Sequence, residues 1–143
     1  MGLIRLIQQS PKTGPDTTVA EAARVMAEGN VGSMAVVEGE RIVGIFTERD
    51  LMRRVVVEGL DPANTPLGEV MTSPVHSVTD ETSIREATRL MRTHHMRHLP
   101  VVDDDGDYVG MLALRHLHNE IMLGLERRVH DLTTWLMDDS LGG

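Results

Sequence analysis

The chain repeats itself, and this internal duplication restricts its fold more than any other feature. Residues 19–37 align with residues 84–102, and residues 43–51 align with residues 109–117 after one inserted residue. The first alignment contains these identical pairs: Glu21/Glu86, Ala22/Ala87, Arg24/Arg89, Met26/Met91, Val36/Val101 and Val37/Val102. Self-similarity at a fixed spacing indicates one supersecondary unit that is used twice.

Each copy has the same coarse pattern of secondary structure. A Ser/Thr-x-x-Glu capping box, Thr18 to Glu21 in the first copy and Ser83 to Glu86 in the second, predicts the start of a helix. Two short apolar runs around a polar, glycine-containing turn follow and predict a β-hairpin. A second helix closes each copy, and an extended segment leads into it. The sequence therefore predicts an α/β (α+β) protein.

The domain organisation follows from a short connector between the copies. Residues 61–66 include two prolines, which are typical of a linker. We predict a first repeat over 1–60, a linker over 61–66, a second repeat over 67–122 and a C-terminal helix and tail over 123–143. A unit of about 60 residues has only a small core when it is alone. The two repeats should therefore pack against each other as one pseudo-symmetric body.

Composition excludes several classes of function. The chain has 143 residues, no cysteine and a formal net charge of −8. Without cysteine it has no disulfide scaffold, thiolate zinc site or cysteine nucleophile. The negative charge and the scarcity of aromatic residues argue against a nucleic-acid partner.

The sequence also predicts that the protein has no membrane partner. No apolar run approaches the length of about 18 residues that a membrane span needs. The apolar stretch at the start of the chain is too short for a signal peptide. We therefore expect a cytoplasmic protein.

One motif in the first copy suggests a ligand site. Gly44 to Asp50 reads Gly-Ile-Phe-Thr-Glu-Arg-Asp, at the predicted junction of the second strand and second helix. The Thr47 hydroxyl there can donate to a phosphate, and the Asp50 carboxylate can accept from both hydroxyls of a ribose. Thr47-x-x-Asp50 is also a capping-box spacing, which needs no ligand. The second copy has Ala113-Leu114-Arg115-His116 at this place and keeps neither group.

These motifs resemble those of tandem cystathionine-β-synthase (CBS) domains, also called a Bateman module. The resemblance covers roughly residues 5–122 and rests on Gly44 to Leu51, on residues 70–75 and on Arg97 to Asp103, whose order and double occurrence in the chain make it specific. It implies a β-α-β-β-α fold in each repeat, packing of the two repeats sheet to sheet, and a cleft between them that binds adenine nucleotides or other adenosyl ligands. It further implies that Asp50 accepts hydrogen bonds from the ribose.

The resemblance implies further ligand contacts in this cleft. The lead-in and the first strand of the first copy would line the adenine, and Arg97 could pair with phosphate oxygens. A weaker second half-site would contain the residues at the equivalent positions of the second copy. The implied residues besides Thr47 and Asp50 are Lys12, Thr13, Met34, Ala35, Arg97 and His98 in the main site, and Val78 and His116 in the second half-site.

The histidines do not predict a metal site. His94 and His98 have the i, i+4 spacing of a helical metal pair, but a strand is predicted to begin near His98. No HExxH motif, cysteine or flanking acidic pattern accompanies them. No nucleophile elbow or Walker loop is present either. We therefore expect no catalytic centre, no bound metal and no required cofactor.

Together these observations predict a regulatory module that binds an adenosyl ligand of the AMP, ADP, ATP, NAD or S-adenosylmethionine class and signals to an unknown protein partner. The alternative is a structural dimerisation module with vestigial clefts. The resemblance implies a homodimer. An apolar seam in the C-terminal segment could pack on its own module or on a second chain, with Trp135 as an anchor. The seam consists of Met122, Leu125, Val129, Leu132 and Leu136.

Overall fold

A computed structural model describes residues 2–8 and 10–142, with side chains as far as Asp138. It confirms the predicted mixture of helices and strands in two similar halves. The elements in chain order are a 3-10 helix (Leu3–Leu6), β1 (Lys12–Thr13), α1 (Val19–Gly29), β2 (Ser33–Glu38), β3 (Arg41–Thr47), α2 (Glu48–Asp50), a π-helix that continues α2 (Leu51–Val56), α3 (Leu67–Val70), α4 (Ile84–Thr93), β4 (His98–Val102), β5 (Tyr108–Ala113) and α5 (Leu114–Gly142).

The first long helix of each repeat begins at its N-cap residue as the sequence predicts. The Thr18 hydroxyl accepts a hydrogen bond from the Glu21 amide at 3.2 Å, and the Ser83 hydroxyl accepts one from the Glu86 amide at 3.0 Å. Such a bond satisfies one of the backbone donors that a helix start leaves unpaired. The two helices also end alike, because residues at equivalent positions, Asn30 and His95, both have positive φ angles of 52° and 54°.

The strands form two small sheets. In the first sheet β1 runs parallel to β2, and β2 runs antiparallel to β3. In the second sheet β4 and β5 are antiparallel, and the lead-in contributes only a single parallel bridge from Val78 to Val101. This bridge replaces the short strand that the β-α-β-β-α pattern implies for the second repeat. It lies at the position equivalent to the Thr13–Val36 pair of the first sheet.

The start of each repeat crosses over to the sheet of the other repeat. Thr72 pairs with Ile45 of β3, while Gln8 pairs with Met111 of β5. The buried side chain of Leu67 joins the core of the first repeat. The buried side chain of Leu3 likewise joins the core of the second repeat. This reciprocal exchange makes the two repeats one body.

Two glycines that both copies share make room for this crossing. A Cβ atom on Gly44 would collide with the side chain of Met71, and a Cβ atom on Gly110 would collide with that of Ile7. Both glycines lie in the second strand of their hairpin. Both copies therefore have a glycine at this position because the crossing segment packs closely against it.

A third apolar cluster joins the two sheets to each other. Its buried members come from both hairpins and include Ala35 and Ile45 of the first repeat with Tyr108 and Met111 of the second. The Tyr108 amide also donates to the carbonyl of Glu40 across the same boundary, at 2.9 Å. The sheets thus pack face to face, as the resemblance implies.

The closing helix of the second repeat and the C-terminal segment form one continuous helix, α5. The sequence analysis divides them at residue 122, but the helix runs from Leu114 to Gly142 without a break. In the isolated chain its distal apolar side chains are exposed, with Leu132 at 59% and Trp135 at 62%. The seam is therefore not covered by its own module. No helix in the described residues is both long enough and apolar enough to cross a membrane.

Candidate functional site

Thr47 and Asp50 form a complete capping box at the start of α2. The Asp50 amide donates to the Thr47 hydroxyl oxygen at 3.2 Å, and the Thr47 amide donates to Asp50 Oδ2 at 3.0 Å. The Thr47 hydroxyl lies 3.2 Å from the same carboxylate oxygen and is placed to donate to it. The structural role that the sequence analysis left open is therefore present, and both side chains are held in fixed positions.

The second carboxylate oxygen of Asp50 faces the other repeat. Thr72, on the crossing segment, donates its hydroxyl proton to Asp50 Oδ1 at 3.0 Å. Arg54 Nε lies 3.6 Å from the same oxygen. Asp50 is only 7% exposed, so this charge is largely removed from water. These contacts hold both oxygens of the carboxylate in one orientation.

Thr47, Asp50 and Thr72 open into a cavity of about 220 Å³ between the two repeats, which we term the first cavity. Its other wall is the turn from α4 into β4. Ile45 and Met96 supply apolar surface. The full lining is Gly32, Ile45, Thr47, Glu48, Arg49, Asp50, Thr72, His94, His95, Met96, Arg97 and His98.

A second cavity of about 490 Å³ lies on the other side of the same wall. Half of its lining residues replace their repeat equivalents in the first cavity: Asn30, Val31, Ala113, Leu114 and Arg115 take the places of His95, Met96, Thr47, Glu48 and Arg49. Gly32, Glu48, Arg97 and His98 line both cavities, and His118 completes the second. The two cavities are therefore the two halves of one pseudo-symmetric cleft.

The hydrogen bond that orients Asp50 has a counterpart in the second half. Gln8 Nε2 lies 3.1 Å from His116 Nε2, and these residues occupy the positions of Thr72 and Asp50. The backbone pairs that bring them together, Gln8 with Met111 and Thr72 with Ile45, are also equivalent. The second half therefore keeps the arrangement of side chains but carries an imidazole in place of the carboxylate.

His98 lies in the shared wall, where its environment favours the neutral imidazole. Burial lowers its pKa from 6.5, the neighbouring Arg115 and Arg97 lower it further, and Glu48 opposes them. Gly32 permits this close packing, because a Cβ atom there would stand 3.3 Å from both Glu48 Oε2 and His98 Cε1. The wall thus places Arg97 and Arg115 on the same imidazole as Glu48.

The structure brings four of the predicted ligand residues together. Thr47, Asp50, Arg97 and His98 all line the first cavity. The remaining predicted residues of the main site lie elsewhere: Lys12 pairs with Glu40 at the surface, Thr13 contacts the hydroxyl of Thr17, Met34 is in the core of the first repeat, and Ala35 is in the cluster between the sheets. Val78 of the second half-site is buried in the core of the second repeat.

Sequence reasoning missed Thr72 and Arg49 as lining residues of the first cavity. Thr72 belongs to the Met-Thr motif that supports the resemblance, but its hydrogen bond to Asp50 depends on the crossing of the lead-in. Arg49 lies inside the Gly44-to-Asp50 motif, and its guanidinium donates to the carbonyl of His95 at 2.8 Å. The repeat alignment, which pairs Arg49 with Arg115, is the signal that could have identified it.

Among residues 2–8 and 10–142, no group of three or more histidine, cysteine, aspartate or glutamate residues is placed to hold an ion. His94 instead stacks on His76, with ring centroids 3.9 Å apart.

Comparison with known proteins identifies both repeats. A model of the CBS domain family matches residues 7–57 and 67–123. The CBS domain-containing protein YhcV of Bacillus subtilis is 38% identical over 109 residues, which are 76% of this chain and 76% of that protein. The mitochondrial CBSX3 protein of Arabidopsis thaliana is 38% identical over 104 residues, or 69% of this chain and 50% of that protein. The chain spans about half to two thirds of the length of several curated relatives.

Solved structures agree with these relatives. A CBS-domain protein from Burkholderia ambifaria superposes with a TM-score of 0.75 at 35% identity, covering 82% of this chain and 85% of that one. The protein PAE2072 of Pyrobaculum aerophilum, solved in complex with AMP, has a TM-score of 0.73 at 29% identity and covers 81% of this chain and 89% of its own. The sequence match over both repeats and the shared fold show that this chain belongs to the CBS domain family and carries two CBS domains in tandem.

Proposed function

We propose that this protein is a cytoplasmic regulatory module that binds an adenine nucleotide in the first cavity and conveys its occupancy to a protein partner. The observation that carries the proposal is the buried Asp50 carboxylate, which Thr47 and Thr72 orient toward an inter-repeat cavity. In this role Asp50 accepts a ribose hydroxyl. The protein regulates and does not catalyse.

The hydrogen bonds of Asp50 leave room for a ligand. An ionised carboxylate has about four lone-pair positions. Thr47 occupies those of Oδ2 with its amide and hydroxyl. Oδ1 accepts one hydrogen bond, from Thr72, while Arg54 Nε at 3.6 Å is beyond hydrogen-bond distance from it. One acceptor position of Oδ1 is therefore available to a ribose hydroxyl. A neutral hydroxyl bound to a buried carboxylate forms a charge-assisted hydrogen bond, which is stronger than one between neutral groups.

The remaining surface of the first cavity matches the other parts of a nucleotide. Arg49 and Arg97 can interact with phosphate oxygens, and Ile45 and Met96 can contact the faces of an adenine. Small-molecule sites have about 300–1,000 Å³. A nucleotide would therefore fill the first cavity of about 220 Å³ and extend its phosphate along the wall shared with the second. The AMP complex of the Pyrobaculum aerophilum relative supports this ligand class.

Calorimetry with a panel of adenosyl ligands tests the proposal. The full chain is titrated with AMP, ADP, ATP, NAD and S-adenosylmethionine, and the same series is run on Asp50→Asn. We expect at least one ligand to bind the unmodified chain, and Asp50→Asn to weaken it by about tenfold or more, because a charge-assisted hydrogen bond is lost.

His116→Asn is the matched control, because His116 is the repeat equivalent of Asp50 and lies outside the first cavity. It should leave the affinity unchanged. Thermal unfolding of each variant separates a loss of binding from a loss of structure. Binding of none of the five ligands, or equal binding by Asp50→Asn, would refute the proposal.

The exposed seam on α5 favours a second candidate function, a homodimerisation or partner-recruitment module. Leu132 and Trp135 lie on a helix that extends beyond the second repeat and are 59% and 62% exposed. Large exposed apolar patches mark interaction sites. Sedimentation equilibrium of the unmodified chain, Leu132→Glu and the off-seam control Thr133→Glu tests this candidate. A dimer that only Leu132→Glu dissociates supports it, and a monomeric unmodified chain refutes the homodimer.

A further inference from the structure

The second cavity differs from the first in the balance of its charges. Its lining includes the basic residues Arg97, Arg115, His98 and His118, and Glu48 is the only acidic one among the described residues. In the first cavity, by contrast, the two arginines face two carboxylates, those of Glu48 and Asp50. The second cavity therefore has an excess of positive charge even when its histidines are neutral.

The arginines of the second cavity are free to bind a ligand. In the described part of the chain, the guanidinium groups of Arg97 and Arg115 form neither a hydrogen bond nor an ion pair, whereas Arg49 of the first cavity donates to the His95 carbonyl. The two arginines also lie close enough to His98 that both lower its pKa. Unpaired guanidinium groups that converge on one cavity create a local site for an anion.

The same cavity has lost the groups that would recognise a ribose. Ala113 stands in place of Thr47, and His116 stands in place of Asp50. The His116 ring nitrogen that faces the crossing segment is already bound to Gln8 at 3.1 Å. The position equivalent to Asp50 therefore carries no carboxylate that could accept two sugar hydroxyls, and Glu48, the acidic residue of this cavity, is not at that position.

We propose that the second cavity is a separate site for a small phosphate-bearing anion, bound through its phosphate groups and not through a nucleoside. Arg97 and Arg115 hold the phosphate oxygens, since the planar guanidinium fork matches their geometry. Leu114, at the start of α5, is fixed against this wall by the hydrogen bond of its amide to the Arg97 carbonyl at 2.8 Å. Pyrophosphate or the phosphate end of a phosphorylated metabolite has the required chemistry.

The shared wall couples this anion to the nucleotide, a consequence that rests on the proposed function. Arg97 and His98 line both cavities, so a phosphate in one cavity competes for the groups that serve the other. Each ligand therefore lowers the affinity of the protein for the other. By linkage, the factor by which the anion weakens nucleotide binding equals the factor by which the nucleotide weakens anion binding. The module would report the ratio of two metabolites instead of the concentration of one.

Titration with inorganic pyrophosphate tests the site directly. The unmodified chain should bind about one equivalent. Arg115→Gln should weaken that binding by about tenfold, because it removes one bidentate cationic group from the second cavity alone. Arg128→Gln, at an exposed position of α5 that lines neither cavity, is the control and should leave pyrophosphate binding unchanged. Arg49→Gln, at the repeat equivalent of Arg115, shows whether pyrophosphate is held in the first cavity instead.

The outcomes separate this proposal from the proposed function. Pyrophosphate binding that persists in Asp50→Asn supports the anion site, whatever that variant does to AMP. Absence of pyrophosphate binding at millimolar concentration, or a larger loss in Arg49→Gln than in Arg115→Gln, overturns the anion site. A competition titration completes the test: pyrophosphate should weaken AMP binding, and equal AMP affinity with and without it overturns the coupling.

Discussion

The two halves of the cleft have equivalent backbone arrangements but carry different side chains. In each half a crossing segment pairs with the second strand of the other repeat and places a polar side chain against the first turn of a helix. In the first half this side chain is Thr72, and its partner is a buried carboxylate. In the second half it is Gln8, and its partner is an imidazole.

This difference separates the features of the duplicated unit that its fold requires from those that it does not require. Gly44 and Gly110 are both kept, because a crossing side chain packs on each of them. The capping box of Thr47 and Asp50 is not kept, and α5 begins without it at Leu114. A helix can therefore start here without the box, so the Thr47/Asp50 pair is not required by the fold of the repeat.

The largest expected effect comes from making the first half like the second. Asp50→His removes the ribose acceptor and half of the capping box. Nucleotide affinity should fall by about tenfold to a hundredfold, since hydrogen bonds to charged groups contribute about 1.5–3 kcal/mol each. The free energy of unfolding should fall by about 1–2 kcal/mol through loss of the cap. Calorimetry and urea denaturation measure the two effects, and an unchanged affinity would remove Asp50 from the binding site.

The converse exchange sharpens the comparison by rebuilding the second half. The triple variant Gln8→Thr, Ala113→Thr and His116→Asp restores each group that the first half carries. We expect the stoichiometry of AMP binding to rise from about one to about two per chain, because the backbone of the two halves is equivalent. His116→Asp alone is the control and should bind more weakly than the triple variant at the new site. A stoichiometry of one in the folded triple variant would contradict the assignment of these three positions.

A smaller effect is expected at the residue that orients Asp50. Thr72→Val keeps the shape of the side chain and removes the donor to Asp50 Oδ1. The free energy of unfolding should fall by about 1 kcal/mol, the usual contribution of one hydrogen bond, which lowers the Tm by about 2–4 °C for a chain of this size. Thr133→Val, at an exposed position of α5, provides the control and should leave the Tm unchanged. Equal melting temperatures of the unmodified chain and Thr72→Val would show that the Asp50 contact is dispensable.

The smallest effect concerns pH and His98. Burial lowers the pKa of His98 in the folded protein below its value of 6.5. Above pH 6.5 the imidazole is neutral in both states, but as the pH falls through 6.5 the unfolded chain takes up the proton first. The free energy of unfolding should therefore decrease below this pH, and less so in His98→Gln. Urea denaturation at pH 7.5 and 5.5 measures this decrease in the unmodified chain and in His98→Gln. Equal decreases in the two proteins would contradict the lowered pKa.

Much of the fold could be predicted from local patterns. The helix starts at Thr18 and Ser83 are set by side chains within one turn, and the hairpins by apolar runs that flank a glycine turn. The correspondence between residues of the two copies can be read from the sequence because the unit is duplicated. These features depend on residues that are close in sequence, and this is why the sequence analysis could reach them.

The reciprocal crossing could not be predicted in the same way. It depends on contacts between Thr72 and Ile45 and between Gln8 and Met111, which are distant in sequence. Lys12 and Thr13 were expected beside the adenine, but the structure places them on the far strand of the first sheet, beside β2. Their contribution to a ligand stays a prediction. The continuity of α5 was not predicted either, because the closing helix of the second repeat and the apolar seam beyond it are separate patterns in the sequence.

A crystal structure of the unmodified chain grown with AMP would test the central claim most directly. The account predicts one AMP in the first cavity, with a ribose hydroxyl within hydrogen-bond distance of Asp50 Oδ1 and the phosphate directed toward Arg97. The second cavity should hold no nucleoside. The account would be contradicted by an AMP molecule whose ribose contacts His116 or Arg115, while Asp50 is hydrogen-bonded only to Thr47 and Thr72.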